Sequence, residues 1–178
     1  MGRTIELATG SPEETKAVGA AVGSLLGSGD VVSLTGDLGA GKTTFVQGAA
    51  EALQVKDPVL SPTFTLIREY QGTFRVYHLD VYRLDRLQDV LDLGIDEIFD
   101  QGAVSFVEWG EVIDSLLPDA YLSVEVQLVD GDWPGGEAER RLLSLSATGG
   151  AWASRWPTLE HSTESWRVEP SEEAGGQR

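Results

Sequence analysis

Between residues 36 and 43 the chain reads Gly-Asp-Leu-Gly-Ala-Gly-Lys-Thr, a complete G-x-x-x-x-G-K-T loop. Glycines let backbone amides turn inward around phosphates, and a helix N-terminus behind them adds a partial positive charge. In such a loop Gly36, Gly39, Ala40 and Gly41 form the cradle, and Lys42 reaches the β- and γ-phosphate oxygens. The hydroxyl of Thr43 holds Mg²⁺, and Thr44 begins the helix whose amides face the anion. The pattern has the context this chemistry needs. An apolar run, Val31-Val32-Ser33-Leu34, enters the loop as a buried strand, and residues 44–53 leave it as a helix.

Phosphate chemistry of this kind needs a second metal anchor, an acid at the carboxyl end of a neighbouring core strand. Glu108 directly follows the apolar run Ala103-Val104-Ser105-Phe106-Val107 and meets that description. Its role is to hold Mg²⁺ directly or through water, or to polarise the attacking water. Asp80 is its rival: it also ends an extended apolar stretch and lies among His78, Tyr82 and Arg83. A lone histidine on a strand is read as structural. Arg83 reads either as an in-cis arginine finger or as a surface ion pair. Ser61 and Thr63 fall where nucleotide switches place hydroxyls that sense the γ-phosphate.

The elements that must position these groups follow from pattern. Ser11-Pro12-Glu13-Glu14 is a helix start with a capping box, and the helix should run through Val18, Val22 and Leu25 to Gly27 or Gly29. Residues 65–70 and 73–79, separated by Gln71-Gly72, predict an antiparallel hairpin, with a helical stretch through Leu87, Val90 and Leu91 after it. A helix near 112–117 stops before Pro118, and strands are expected at 121–129 and 141–147. From about Gly149 the pattern decays. Residues 1–150 are read as a P-loop ATPase domain and 151–178 as a tail, largely disordered or loosely docked. Trp152, Trp156 and Trp166 in that tail read either as a short docking helix or as a variable extension.

The composition sets outer limits. A chain of 178 residues, 41% hydrophobic and 24% charged, is one ordinary globular domain with or without a tail. It has no cysteine, which rules out disulfide scaffolds and thiolate metal sites. No run is long enough to cross a bilayer and the start lacks a signal-peptide core, so a cytoplasmic protein without membrane contact is expected. A net charge of −16 disfavours direct, independent binding of DNA or RNA.

The base is read by elimination. No Asn-Lys-x-Asp guanine element occurs, and the D-x-x-G match at 132–135 lies in a late loop, which leaves adenine. The alternative to an ATPase is a small-molecule P-loop kinase, whose arginine-rich lid and acceptor pocket are not legible here. A nucleotide-binding regulatory module without turnover is a third possibility.

Four motifs occur in series: residues 36–45, Ser-Pro-Thr-Phe at 61–64, His-Leu-Asp-Val-Tyr-Arg at 78–83 and Val-Glu-Trp at 107–109. Together they resemble the bacterial TsaE family (formerly YjeE), over about residues 4 to 150. The resemblance implies an α/β fold: a three-layer P-loop NTPase-like domain whose mixed sheet has an antiparallel hairpin portion. It implies an ATPase, weak alone, that acts with the TsaB–TsaD heterodimer in making N6-threonylcarbamoyladenosine at position 37 of tRNAs reading codons that begin with A. The ATPase does not transfer the group itself, and it meets tRNA only indirectly. Carried over by position, Gly39 to Thr44 bind phosphates, Thr43 and Glu108 hold Mg²⁺, and Asp80 is the switch acid. Trp109 lines the nucleotide site or partner face, and Arg141, with Arg140 competing for the alignment, approaches the adenine.

Overall fold

The computed structural model describes residues 3–63, 65–82, 87–129 and 139–168. Thr4–Thr9 (β1) and Pro12–Gly23 (α1) precede Val31–Thr35 (β2) and Lys42–Ala52 (α2). Ile67–Gln71 (β3) and Arg75–Asp80 (β4) form the hairpin. Short helices Leu87–Asp92 (α3) and Ile95–Asp100 (α4) lead to Val104–Glu108 (β5), which a 3-10 segment at Gly110–Leu116 follows. Tyr121–Val129 (β6), Arg140–Thr148 (β7) and Trp156–Ser162 (α5) complete the order, with a short 3-10 turn at Glu164–Trp166.

The seven strands form one mixed sheet in the order β1-β7-β6-β2-β5-β4-β3. Its middle is parallel: β2 pairs with β5 and β6, and β4 pairs with β5. These strands are covered on both faces, so β2 and β5 read as almost unbroken apolar runs. The antiparallel strands β6 and β7 instead alternate buried and exposed positions along much of their length. One core, holding Val22, Phe45 and Phe106, lies between the sheet and α1, α2 and α5; a second, holding Val31, Leu79 and Ile113, lies on the opposite face. Two cores separated by a sheet make the three layers that the motifs imply.

Helix α1 starts as expected, with Ser11 accepting from the Glu14 amide at 3.1 Å, but it ends at Gly23, short of Gly27. The chain there turns tightly, and Arg155 captures the Leu25 carbonyl at 3.0 Å. Helices α1 and α2 approach so closely that a Cβ on Gly48 would lie 1.9 Å from the Lys16 carbonyl oxygen. Glycine is therefore required at that crossing. Strand β1 has no counterpart in the sequence reading. It is held by its pairing with β7 and by burial of Ile5 and Leu7.

Of the two readings for the tryptophan-bearing segment, residues 151–168 follow the docking helix, with Trp152, Trp156 and Leu159 at 1%, 1% and 0% exposure within the larger core. Arg155 stacks over Trp152 at 4.3 Å and forms an ion pair with Asp30. Beyond α5, Val168 donates to the Glu6 carbonyl at 3.0 Å, tying the segment to the β1 edge. The reason is hydrophobic: two indoles on either side of Arg155 bury area that a polar tail lacks. The expected continuation to residue 178 lies outside the described residues. Trp156→Ala should lower the unfolding free energy by about 3–5 kcal/mol in urea titration, as for a large-to-small change in a packed core. A shift below about 1 kcal/mol would show that α5 is no part of the cooperative unit.

Candidate functional site

Strand β2 hands the chain to the glycine loop at its carboxyl end. Gly36 turns there with φ of 126°, and a Cβ on it would lie 2.0 Å from the Val126 carbonyl oxygen of β6. Only glycine passes that point. Helix α2 begins at Lys42 behind Gly41, whose φ is 116°, and no side chain caps it. Its first amides and the positive end of its dipole are therefore available to an anion in the cleft.

Strand register brings the two acids to the same cleft. In β4 and β5, Val76 and Val104 face the α1–α2 core, while Leu79 and Val107 face the other. Side chains alternate, so His78 and Asp80 on β4 share the first face with Phe106 and Glu108 on β5. The parallel pairing sets Asp80 opposite Glu108 and Leu34 of β2 opposite Glu108 on the other side. Glu108 thus ends its strand beside the start of α2. The Thr43 hydroxyl donates to its Oε1 at 2.7 Å, and His78 Nε2 meets the same oxygen at 2.8 Å. Asp80 accepts from the Thr63 hydroxyl at 3.2 Å and from the Tyr82 amide at 3.0 Å; Thr63 in turn lies 2.6 Å from the Ser61 hydroxyl. The 61–63 loop is thereby attached to the acid at the end of β4.

Lys42 is almost fully buried, and its ammonium donates to the carbonyls of Gly36 at 2.5 Å and Asp37 at 2.8 Å. It also sits 4.1 Å from the centre of the Trp109 ring, which Tyr82 contacts at 4.5 Å. Trp109 takes a left-handed φ of 63°, costly for a bulky residue, and its amide is held by the Leu34 carbonyl at 2.8 Å. Burial lowers the Lys42 pKa, against the upward pull of Glu108, Glu111, Asp80 and Asp37.

Gly39, Gly41, Lys42, Thr43 and Thr44 line one cavity with Ser61, Thr63, Asp80, Glu108 and Trp109. Gly36, Ala40 and Arg141 stand behind it. Ala40 is fully buried, and Arg141 Nε donates to its carbonyl at 2.9 Å. Arg141 thus braces the back of the loop. Arg83 and the D-x-x-G match lie outside the described residues.

The donor chemistry suits a hard divalent ion. Thr43, Glu108 and Asp80 offer only oxygen ligands at the cavity wall. Among the described residues no cluster of three or more His, Cys, Asp or Glu could hold a metal by itself. An ion bound here would complete its shell with phosphate and water, the usual habit of Mg²⁺.

Comparison with known proteins now adds a second line. The family model for threonylcarbamoyl adenosine biosynthesis protein TsaE matches residues 9–133. The chain belongs to the TsaE family. The tRNA threonylcarbamoyladenosine biosynthesis protein TsaE of Bacillus subtilis (strain 168) is 45% identical over 125 residues, covering 70% of this chain and 78% of that one. Its namesake in Treponema pallidum is 43% identical over 123 residues, 68% of this chain and 91% of its own. The crystal structure of YdiB from Bacillus subtilis superposes with a TM-score of 0.72 at 35% identity, covering 93% of this chain and 97% of that one. That likeness supports the P-loop NTPase-like fold.

His78 is the residue whose place at the site the sequence understated. Its signal was the adjacency to Asp80 on one strand face, which became meaningful only once β5 set Glu108 beside it.

The lowered Lys42 pKa has a stability consequence. Below its folded value the buried ammonium destabilises the fold, and that penalty disappears as pH rises from the folded value to the ordinary 10.5. Wild type should therefore gain stability relative to Lys42→Met across that window, measured by chemical denaturation in alkaline buffers. A constant difference would contradict the assigned burial.

Proposed function

We propose that this protein is a Mg²⁺-dependent ATPase, weak alone, that serves the TsaB–TsaD heterodimer in making N6-threonylcarbamoyladenosine at position 37 of tRNA. The observation carrying the ATPase reading is the hydrogen bond of 2.7 Å between Thr43 and Glu108 at the mouth of an uncapped helix, with Lys42 beside it. The pathway assignment is supported by the names of the TsaE relatives. Cytoplasmic action fits the absence, among the described residues, of any helix long and apolar enough to cross a membrane.

The chain's own groups divide the work. Amides of Gly39 to Thr44 bind the β-phosphate region, and Lys42 exchanges its carbonyl partners for phosphate oxygens. Thr43, whose hydroxyl donates to Glu108 Oε1, and Glu108 are the residues that would hold Mg²⁺. A Mg²⁺ held there would supply neutralisation of phosphate charge. Asp80 is left to orient the attacking water, and Thr63 reports the state of that carboxylate to the 61–63 loop. Trp109 covers Lys42 and limits water at the reacting end. Glu108, Glu111, Asp80 and Asp37 all act on Lys42, and a metal beside the phosphates would offset part of that negative charge.

Lys42→Ala should abolish ATP binding in calorimetry, while Asp80→Ala should keep binding and lose turnover by about 10²–10⁴-fold. Unaltered affinity in the first, or normal turnover in the second with partners present, would refute these roles. A pull-down with TsaB–TsaD should retain this protein in an ATP- and Mg²⁺-dependent manner. Failure of capture under every nucleotide condition would sink the partnership, and phosphoryl transfer to an added small acceptor would favour the kinase alternative.

A further inference from the structure

We propose that His78 is a positioning residue that sets which oxygen of Glu108 is free for the metal. The inference rests on the Mg²⁺–ATP reading above and goes beyond it in assigning a role to a side chain that touches neither nucleotide nor ion.

The geometry is specific. Glu108 Oε1 accepts from the Thr43 hydroxyl at 2.7 Å and faces His78 Nε2 at 2.8 Å. Two donors converge on one oxygen, so Nε2 carries its proton and Oε1 is saturated. The carboxylate cannot rotate without breaking both bonds, and Oε2 is left as the free ligand. A glutamate has more rotatable bonds than the aspartate usual at such positions, so an anchor on its carboxylate has more freedom to remove.

The cost of His78 argues that the bond is its purpose. The ring is 0% exposed, and its Nδ1 is a buried nitrogen with no hydrogen-bond partner among the described residues. An unpaired buried polar atom is unfavourable, and an apolar residue of similar volume would pack between Val76 and Phe106 without it. A histidine kept only for packing would be a poor choice at this position. A histidine kept for one directed N–H to Glu108 accounts for both nitrogens.

The test compares His78→Leu, which lacks the donor, with His78→Gln, whose side-chain amide can present an N–H near the Nε2 position. Calorimetry measures ATP affinity of each protein with Mg²⁺ and with EDTA, after thermal unfolding confirms a cooperative fold. The leucine variant should keep the affinity seen in EDTA and need about 10–100-fold more Mg²⁺ for half-maximal enhancement. The glutamine variant should recover most of that loss. A leucine variant with the wild-type Mg²⁺ requirement, or a glutamine variant no better than leucine, overturns the proposal. Should leucine prevent folding, His78→Asn, whose shorter amide stops short of Glu108, replaces it with the same contrast expected. Wild-type protein indifferent to Mg²⁺ would instead overturn the parent reading, and the inference with it.

Discussion

The hydrogen bond from Thr43 to Glu108 joins two parts of the chain that are 65 residues apart, and the architecture of the site depends on it. One partner is the first turn of a helix that needs an anion; the other ends a strand in the centre of a parallel sheet. For the two to meet, β2 must pair with β5 in parallel and in the register that sets Leu34 opposite Glu108. A slip of one residue would turn Glu108 into the opposite core and bring Val107 to the cleft. The near-continuous apolar character of both strands holds them buried, while the glycine turn at residue 36 and the amide of Trp109 on Leu34 fix the ends.

The same register adds the second acid without further machinery. Once β4 lies parallel to β5, Asp80 reaches the level of Glu108, and the hairpin partner β3 brings the 61–66 segment back over it. The Leu66 carbonyl accepts from the Asp80 amide at 2.9 Å, and Thr63 accompanies it with a side-chain contact. Hydroxyls tied to an acid at the cavity wall are well placed to respond to what occupies the cleft. Arg141 of β7 holds the Ala40 carbonyl, so the glycine loop is also braced from that strand.

Much of this was legible in the residues. The glycine spacing, the apolar entry to it and the amphipathic exit specify strand, loop and helix with little tertiary information. Glu108 and Asp80 were visible as acids ending apolar runs. The contact of Arg141 with the Ala40 carbonyl was not, because it depends on β7 running beside the loop. Nor was β1, six residues whose alternation becomes a strand only when β7 offers an edge. For 151–168 the residues left two readings open: Trp152 and Trp156 are one helical turn apart, but only the surface left by α1 and the β1 edge shows that they dock. His78 shows the limit most clearly. A histidine on a strand is usually structural, and only the neighbouring strand's register reveals that its nitrogen faces a site carboxylate.

On the proposed function, Thr43 and Glu108 share one metal with a nucleotide held by the glycine loop. A crystal structure with Mg²⁺ and a non-hydrolysable ATP analogue tests it directly. An ion is expected about 2.1 Å from the Thr43 hydroxyl, with Glu108 in its shell or one water away. Lys42 is expected to leave the carbonyls of Gly36 and Asp37 for phosphate oxygens. Phosphates bound elsewhere, or an ion that ignores Thr43 while Lys42 keeps its present partners, would contradict it.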